Sequence, residues 1–143
     1  MHLKFNIQYI ISYFGILPYF FIIIDKYYFF QIKEDFIINF FIYYTLIIFT
    51  FIGSINWNLH VKLKNHIAIY GFLPSLMSVI IIILNLLKYN TSNIIVIIII
   101  LISLQLVLDY LLIYSNRLRK EPYYFIRVPL TLIIIIILLL SIF

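Results

Sequence analysis

Apolar segments of about 20 residues, the length that crosses a hydrocarbon core of about 30 Å, recur along nearly the whole of this 143-residue chain. Nothing else constrains the fold as strongly. A bilayer interior offers no water to unpaired backbone groups, so segments of this length must bond their own N–H and C=O groups as helices. The pattern predicts an all-α, polytopic membrane helical bundle with five transmembrane helices, over about 7–24, 36–57, 66–87, 94–114 and 124–143. No room is left for a water-soluble domain, so residues 1–143 are expected to form a single transmembrane domain. Composition agrees: with 66% hydrophobic residues, 10% charged residues and a mean hydropathy of +1.17, the chain cannot cover a water-facing surface with polar groups.

The net charge of +5 is not a nucleic-acid footprint, because the ten Lys and Arg sit in short loops and not on a folded face. They bear on orientation instead. Lys4, Lys62, Lys64, Arg117, Arg119, Lys120 and Arg127 fall on one side of the five spans, and Lys26, Lys33 and Lys88 on the other. Seven against three predicts the N-terminus inside and the C-terminus outside. There is no cysteine, hence no disulfide, thiolate nucleophile or cysteine metal site. The first apolar run is not followed by an A-x-A-like site, and Ala68 is the only alanine, so a cleaved targeting peptide is not expected.

Isoleucine runs at 80–83, 97–100 and 133–137 have the look of AT-rich coding bias, which lipid-facing positions tolerate. That bias favours a bacterial inner membrane, with the mitochondrial inner membrane as the alternative. The residues that resist it are more informative: Gly15, Pro18, Gly53, Trp57, Gly71, Pro74, Pro122 and Pro129. Pro18 cannot donate to the carbonyl of Phe14, so a kink is expected there, with Gly15 permitting close helix packing. Charged residues from Asp25 to Asp35 read as a loop, with Tyr27 and Tyr28 at the interface.

Thr50, Gly53, Ser54 and Trp57 follow i, i+3, i+4, i+7 spacing, a small-residue face ending in an interfacial anchor. Gly71 and Pro74 mark the third span as a packing or kink position. Lys88 and the polar residues Asn90 to Asn93 read as a tight turn. Pro122 ends the fourth helix, and Pro129 is expected early in the fifth, where its missing donor matters least. His60 and His66 are six apart without a nearby carboxylate, so no metal site is expected.

The distinctive chemistry lies between residues 104 and 133. Gln105, Asp109 and Asn116 share a stripe that should face the protein interior. An Asp in hydrocarbon costs about 2.5–3.5 kcal/mol unless it is paired, protonated or near water. Arg127 is the expected partner, holding the carboxylate through two parallel hydrogen bonds. With Asn56 and Trp57 at the same inner face, these residues form a polar cluster. It reads either as a structural clasp between spans four and five or as a proton or ligand site.

Several of these pieces resemble a known family. GILPYF at 15–20, FIGSINWN at 51–58, LPSL at 73–76, LVLDY around Asp109 and RVPLT at 127–131 are similar to signatures of the small membrane proteins called domain of unknown function 3429, which includes transmembrane protein 69-like proteins. The RVPLT element adds Thr131 to the cluster. That family usually has His or Arg before the tryptophan and Gly after it, where this chain has Asn56 and Asn58. The resemblance implies an architecture and a membrane address, not a reaction.

No G-x-S-x-G, H-E-x-x-H, P-loop or dinucleotide fingerprint is present, and a single embedded acid cannot supply paired-carboxylate catalysis. No catalytic residue, cofactor or metal is expected. Three readings remain: a non-enzymatic packing, assembly or interaction protein; a small carrier or proton-conducting component using Asp109; and, ranked lowest, a lipid-modifying enzyme. The expected partners are the lipid bilayer and other membrane proteins or a second copy of the chain, with no nucleic acid.

Overall fold

Long runs of Ile, Leu and Phe, broken by few Gly or Pro, leave the backbone only its own carbonyls to bond in an apolar medium. The computed structural model describes residues 7–29, 32–54, 65–115 and 120–142, and these are helical with no strand among them. The helices are α1 (Ile7–Phe14), α2 (Leu17–Ile24), α3 (Glu34–Ser54), α4 (Asn65–Leu86), α5 (Thr91–Asp109) and α6 (Val128–Ile142). Wide π-helical turns cover Asp25–Phe29, Tyr110–Tyr114 and Tyr123–Arg127. Together they make five segments long and apolar enough to cross a membrane: Ile10–Phe29, Glu34–Ser54, Asn65–Leu86, Thr91–Tyr114 and Tyr123–Ile142. Such a set fits a multi-pass membrane protein.

Three local expectations need correction. Asp25 to Phe29 are not loop but the last, widened turn of the first segment, since nothing between Ile24 and Phe29 breaks a helix; the Asp25 carboxylate then accepts from Ile32 N–H at 2.9 Å where the chain turns back. Of the tight turn expected at Lys88 and Asn90 to Asn93, only the Lys88 end is a turn. Asn90 is the N-cap of α5, its side chain accepting from Ser92 and Asn93 N–H at 3.0 and 3.3 Å, so the helix begins at Thr91. The reversal before it is made by Lys88, whose φ of 57° lets Tyr89 N–H bond back to the Leu84 carbonyl at 3.1 Å and close α4. Finally, Pro129 does not lie in the first turn of its helical segment. It follows the π turn at Tyr123–Arg127, whose widening accommodates the ring that would otherwise strike the Phe125 carbonyl.

The core runs along α3, which packs on α4, α5 and α6. Ile37, Phe41, Ile42, Leu46 and Phe49 meet Ile94, Ile95, Ile98 and Ile102 of α5 and Ile134, Ile137 and Leu138 of α6. The isoleucine runs are therefore not uniform: Ile98 is 1% exposed and Ile100 is 59% exposed. The most intimate approach joins α3 to α4. A Cβ placed on Gly53 would come within 2.6 Å of Pro74 Cγ and 3.1 Å of the Gly71 carbonyl oxygen, so only glycine fits there. One turn away Thr50 and Ser78 hydroxyls meet at 2.9 Å, while Ser54 is exposed and bonds its own helix at Phe51.

The first segment is peripheral. About 11% of its apolar stretch is buried in the bundle, against 39% for α3. It is held by hydroxyls: Tyr19 meets Thr45 at 2.6 Å, and Tyr44 donates to the Gly15 carbonyl at 2.8 Å. The expected kink at Pro18 is a full break, α1 ending at Phe14 and α2 starting at Leu17, with Pro18 in its first turn. Gly15 sits in that break, where an added Cβ would meet only the Ser12 carbonyl oxygen of its own segment, at 3.2 Å. Its carbonyl, not a close helix approach, is what binds it to α3.

Candidate functional site

Asp109 is the last residue of α5 and is 1% exposed. Its position follows from the 3.6-residue period that also buries Ile98, Ile102 and Gln105 on the same face of the helix. A carboxylate so placed must be bonded, and two helices other than its own supply partners. From α4, the Tyr70 hydroxyl donates to Oδ1 at 2.6 Å, a length typical of an O–H to carboxylate bond. From the π turn before α6, Arg127 Nε lies 3.6 Å from Oδ2. The cluster thus joins three segments at one point.

The ion pair differs from the expected fork. Arg127 approaches through Nε alone, beyond hydrogen-bonding range, and the two parallel hydrogen bonds anticipated for it are not formed. Its orientation is set by the widened turn Tyr123–Arg127, in which Val128 N–H reaches back to the Tyr123 carbonyl. A second π turn, Tyr110–Tyr114, starts directly after Asp109 and closes with Ser115 N–H on the Tyr110 carbonyl at 2.7 Å. Such turns shift which side chains face inward, so both partners of the pair sit at register changes.

Around this pair the remaining polar groups are tied to backbone. The Gln105 amide donates to the Phe49 carbonyl at 3.2 Å and not to Asp109, linking α5 to α3. The Tyr70 hydroxyl also lies 3.2 Å from the Gln105 carbonyl, the weaker branch of its single donor. Tyr123 donates to the Leu106 carbonyl at 3.1 Å, and its ring packs 5.3 Å from those of Tyr110 and Tyr114. Tyr13 donates to the Phe125 carbonyl, the group that Pro129 leaves without a helical donor. Thr131 is buried in the first turn of α6, and no hydrogen bond joins it to Asp109.

Of the residues anticipated from sequence, the structure brings Asp109, Arg127 and Gln105 to one level, with Thr131 beyond them on α6. Asn56, Trp57 and Asn116 lie outside the described residues. Gly53, Gly71 and Pro74 meet at the α3–α4 contact instead, and Gly15 and Pro18 belong to the break in the first segment. Tyr70 was not anticipated, nor were Tyr123 and Tyr13. In a chain with 13 tyrosines no local signal separates these from the others. A neutral cluster at α3 and α4 was also missed: the Asn85 amide donates to Asn39 Oδ1 and to the Tyr43 hydroxyl, both at 2.8 Å.

Among the described residues no group of three or more His, Cys, Asp or Glu is placed to hold a metal ion. What the cluster does chemically is bind its own carboxylate. The family profile described as Protein of unknown function (DUF3429) matches residues 6–143. The chain belongs to the DUF3429 family. The DUF3429 match takes in every segment that builds the cluster, including Tyr70, Asp109 and Arg127. No curated protein and no solved structure matches the chain.

Proposed function

We propose that this DUF3429 protein is an integral multi-pass membrane protein that works by packing against other membrane proteins, or against its own copies, with the Asp109 cluster as a structural clasp and not a reaction centre. Its address is the inner membrane of a bacterium, with the mitochondrial inner membrane as the alternative; its N-terminus lies inside and its five spans form one transmembrane domain. The observation that carries the clasp is that each carboxylate oxygen is engaged by another segment: Oδ1 accepts from Tyr70 at 2.6 Å and Oδ2 is paired with Arg127 at 3.6 Å, on a residue 1% exposed. Two shallow surface depressions among the described residues lie elsewhere, one along α3 from Phe36 to Ile47, the other where Ile23, Lys26 and Phe41 meet Ile137 and Ser141. Neither reaches Asp109.

Wild-type protein in proteoliposomes is expected to pass neither protons nor small solutes, and crosslinking in native membranes followed by mild-detergent purification is expected to retain a membrane-protein partner or a second copy. Proton flux that disappears in Asp109→Asn would replace this reading with the second one, a carrier or proton-conducting component, which the buried acid with its Tyr70 donor favours. Orientation is tested separately. The chain has no cysteine, so single cysteines at Lys33, Lys62, Arg119 and Phe143 can be labelled by an impermeant reagent; labelling of Lys62→Cys or Arg119→Cys from outside sinks the inside assignment.

A further inference from the structure

Arg127 carries more hydrogen-bonding capacity than the clasp uses. Its guanidinium has five N–H donors, and the contact with Asp109 involves only Nε. Nη1 and Nη2, with four donors between them, meet no acceptor among the described residues, although the side chain is only 13% exposed. Leaving charged donors unbonded in an apolar setting is costly, so a group from outside the chain is expected to meet them.

The surroundings say what kind of group. Arg127 lies four residues into the segment Tyr123–Ile142, about 6 Å from its end at 1.5 Å per residue. Tyr110, Tyr114, Tyr123 and Tyr124 cluster at this end with ring separations of 5.3 Å, the amphipathic belt that marks headgroup depth. Charge points the same way. Lys120, seven residues before Arg127, has its Nζ 5.4 Å from the Tyr110 ring centre and adds a cation to this tyrosine cluster. A planar fork of donors beside a tyrosine belt and a lysine at headgroup depth matches a phosphate, whose oxygens accept two parallel N–H bonds.

We propose that the terminal nitrogens of Arg127 hold the phosphate of a phospholipid headgroup, seated at the α5–α6 end of the bundle between its own span and the bilayer. The same guanidinium then joins Asp109 through Nε and the lipid through Nη1 and Nη2, so a lipid becomes part of the clasp. This rests on the reading that the five segments cross a membrane.

The test is native mass spectrometry of protein released from nanodiscs containing equal amounts of phosphatidylglycerol and a galactosyl diacylglycerol with the same acyl chains. Wild type should retain the phosphatidylglycerol preferentially. Arg127→Gln should weaken retention about tenfold, the scale of one lost charge-assisted interaction. Asp109→Asn, which leaves the fork in place, should retain it at least as well as wild type. If Arg127→Gln does not fold, Arg127→Lys keeps the charge near Asp109 without the planar fork and should lower retention several-fold. Equal retention of the two lipids by wild type, or unchanged retention in both Arg127 variants, overturns the proposal. A second arm adds inorganic phosphate: no displacement of lipid supports a headgroup, whereas Arg127-dependent displacement without lipid preference assigns the fork to free phosphate and overturns the lipid. Failure of the wild-type chain to float with vesicles would sink the membrane reading itself; normal flotation without lipid discrimination removes only this inference.

Discussion

Two polar clusters among the described residues are built on opposite terms. Tyr70, Asp109 and Arg127 draw three segments to one buried charge, whereas Asn39, Tyr43 and Asn85 join α3 and α4 through neutral amides and a hydroxyl. A charge leaves no tolerance for a missing partner, because an unpaired buried carboxylate keeps its full desolvation cost. A neutral amide that loses its partner can turn to a backbone carbonyl, as Asn39 does already in donating to Asp35 at 2.8 Å. The charged cluster should therefore fix the arrangement of α4, α5 and α6, and the amide cluster should only add to a contact that side-chain packing already makes.

Substitutions separate the two clusters, with stability read as resistance of the detergent-solubilised protein to denaturing detergent. The largest effect is expected for Arg127→Gln, which strands the Asp109 carboxylate: a loss of about 3–5 kcal/mol. Adding Asp109→Asn should recover part of it, so that the double variant loses less than the sum of the two; strict additivity would mean that the pair is not coupled. Next comes Tyr70→Phe, which removes the hydroxyl at 2.6 Å and should cost about 1.5–3 kcal/mol, the range for bonds to charged groups. Loss of that size places Tyr70 in the clasp, second to Arg127, although no sequence signal singles it out.

Gly53→Ala should cost about 1–3 kcal/mol by forcing α3 and α4 apart at Pro74. A neutral result there would mean that the helices separate freely and that α3–α4 packing is not what supports the amide cluster. The smallest effect belongs to Asn85→Leu. Interhelical hydrogen bonds of this kind average about 0.6 kcal/mol and reach about 1.7 kcal/mol, so a loss above about 2 kcal/mol would erase the contrast between the two clusters.

Much of the architecture was legible before any coordinates, because segment length and hydropathy are properties of composition along the chain. Five apolar stretches became five long helices with ends displaced by a few residues. Asp109 was visible for the same reason: an acid in a hydrocarbon-length run stands out, and its burial follows. The bonds it makes were not visible. Tyr70 is 39 residues away, and its selection from 13 tyrosines depends on how α4 crosses α5. The one-sided contact of Arg127 depends on the π turn before it, a single-residue change in register that hydropathy cannot register.

The prolines show the same division. Pro18 and Pro129 each remove a donor, and that much is fixed by covalent chemistry. Which group answers the loss is a tertiary matter: the Phe125 carbonyl below Pro129 is met by Tyr13 of α1. In the break before Pro18 the Tyr19 N–H turns to the Ile16 carbonyl, and the Gly15 carbonyl it leaves is met by Tyr44 of α3.

What the sequence by itself determined is the number of long apolar helices, their length and the presence of one acid needing a partner, since each follows from transfer energies summed along a local stretch. The tertiary structure decided which isoleucines form the core, which glycine is crowded by a neighbouring helix, and which tyrosines and arginine meet Asp109. Those depend on helix rotation and crossing. With nearly every face of every helix apolar, hydropathy leaves rotation undetermined, and a few specific contacts settle it: Gly53 against Pro74, Thr50 against Ser78, and Tyr70 with Arg127 on Asp109.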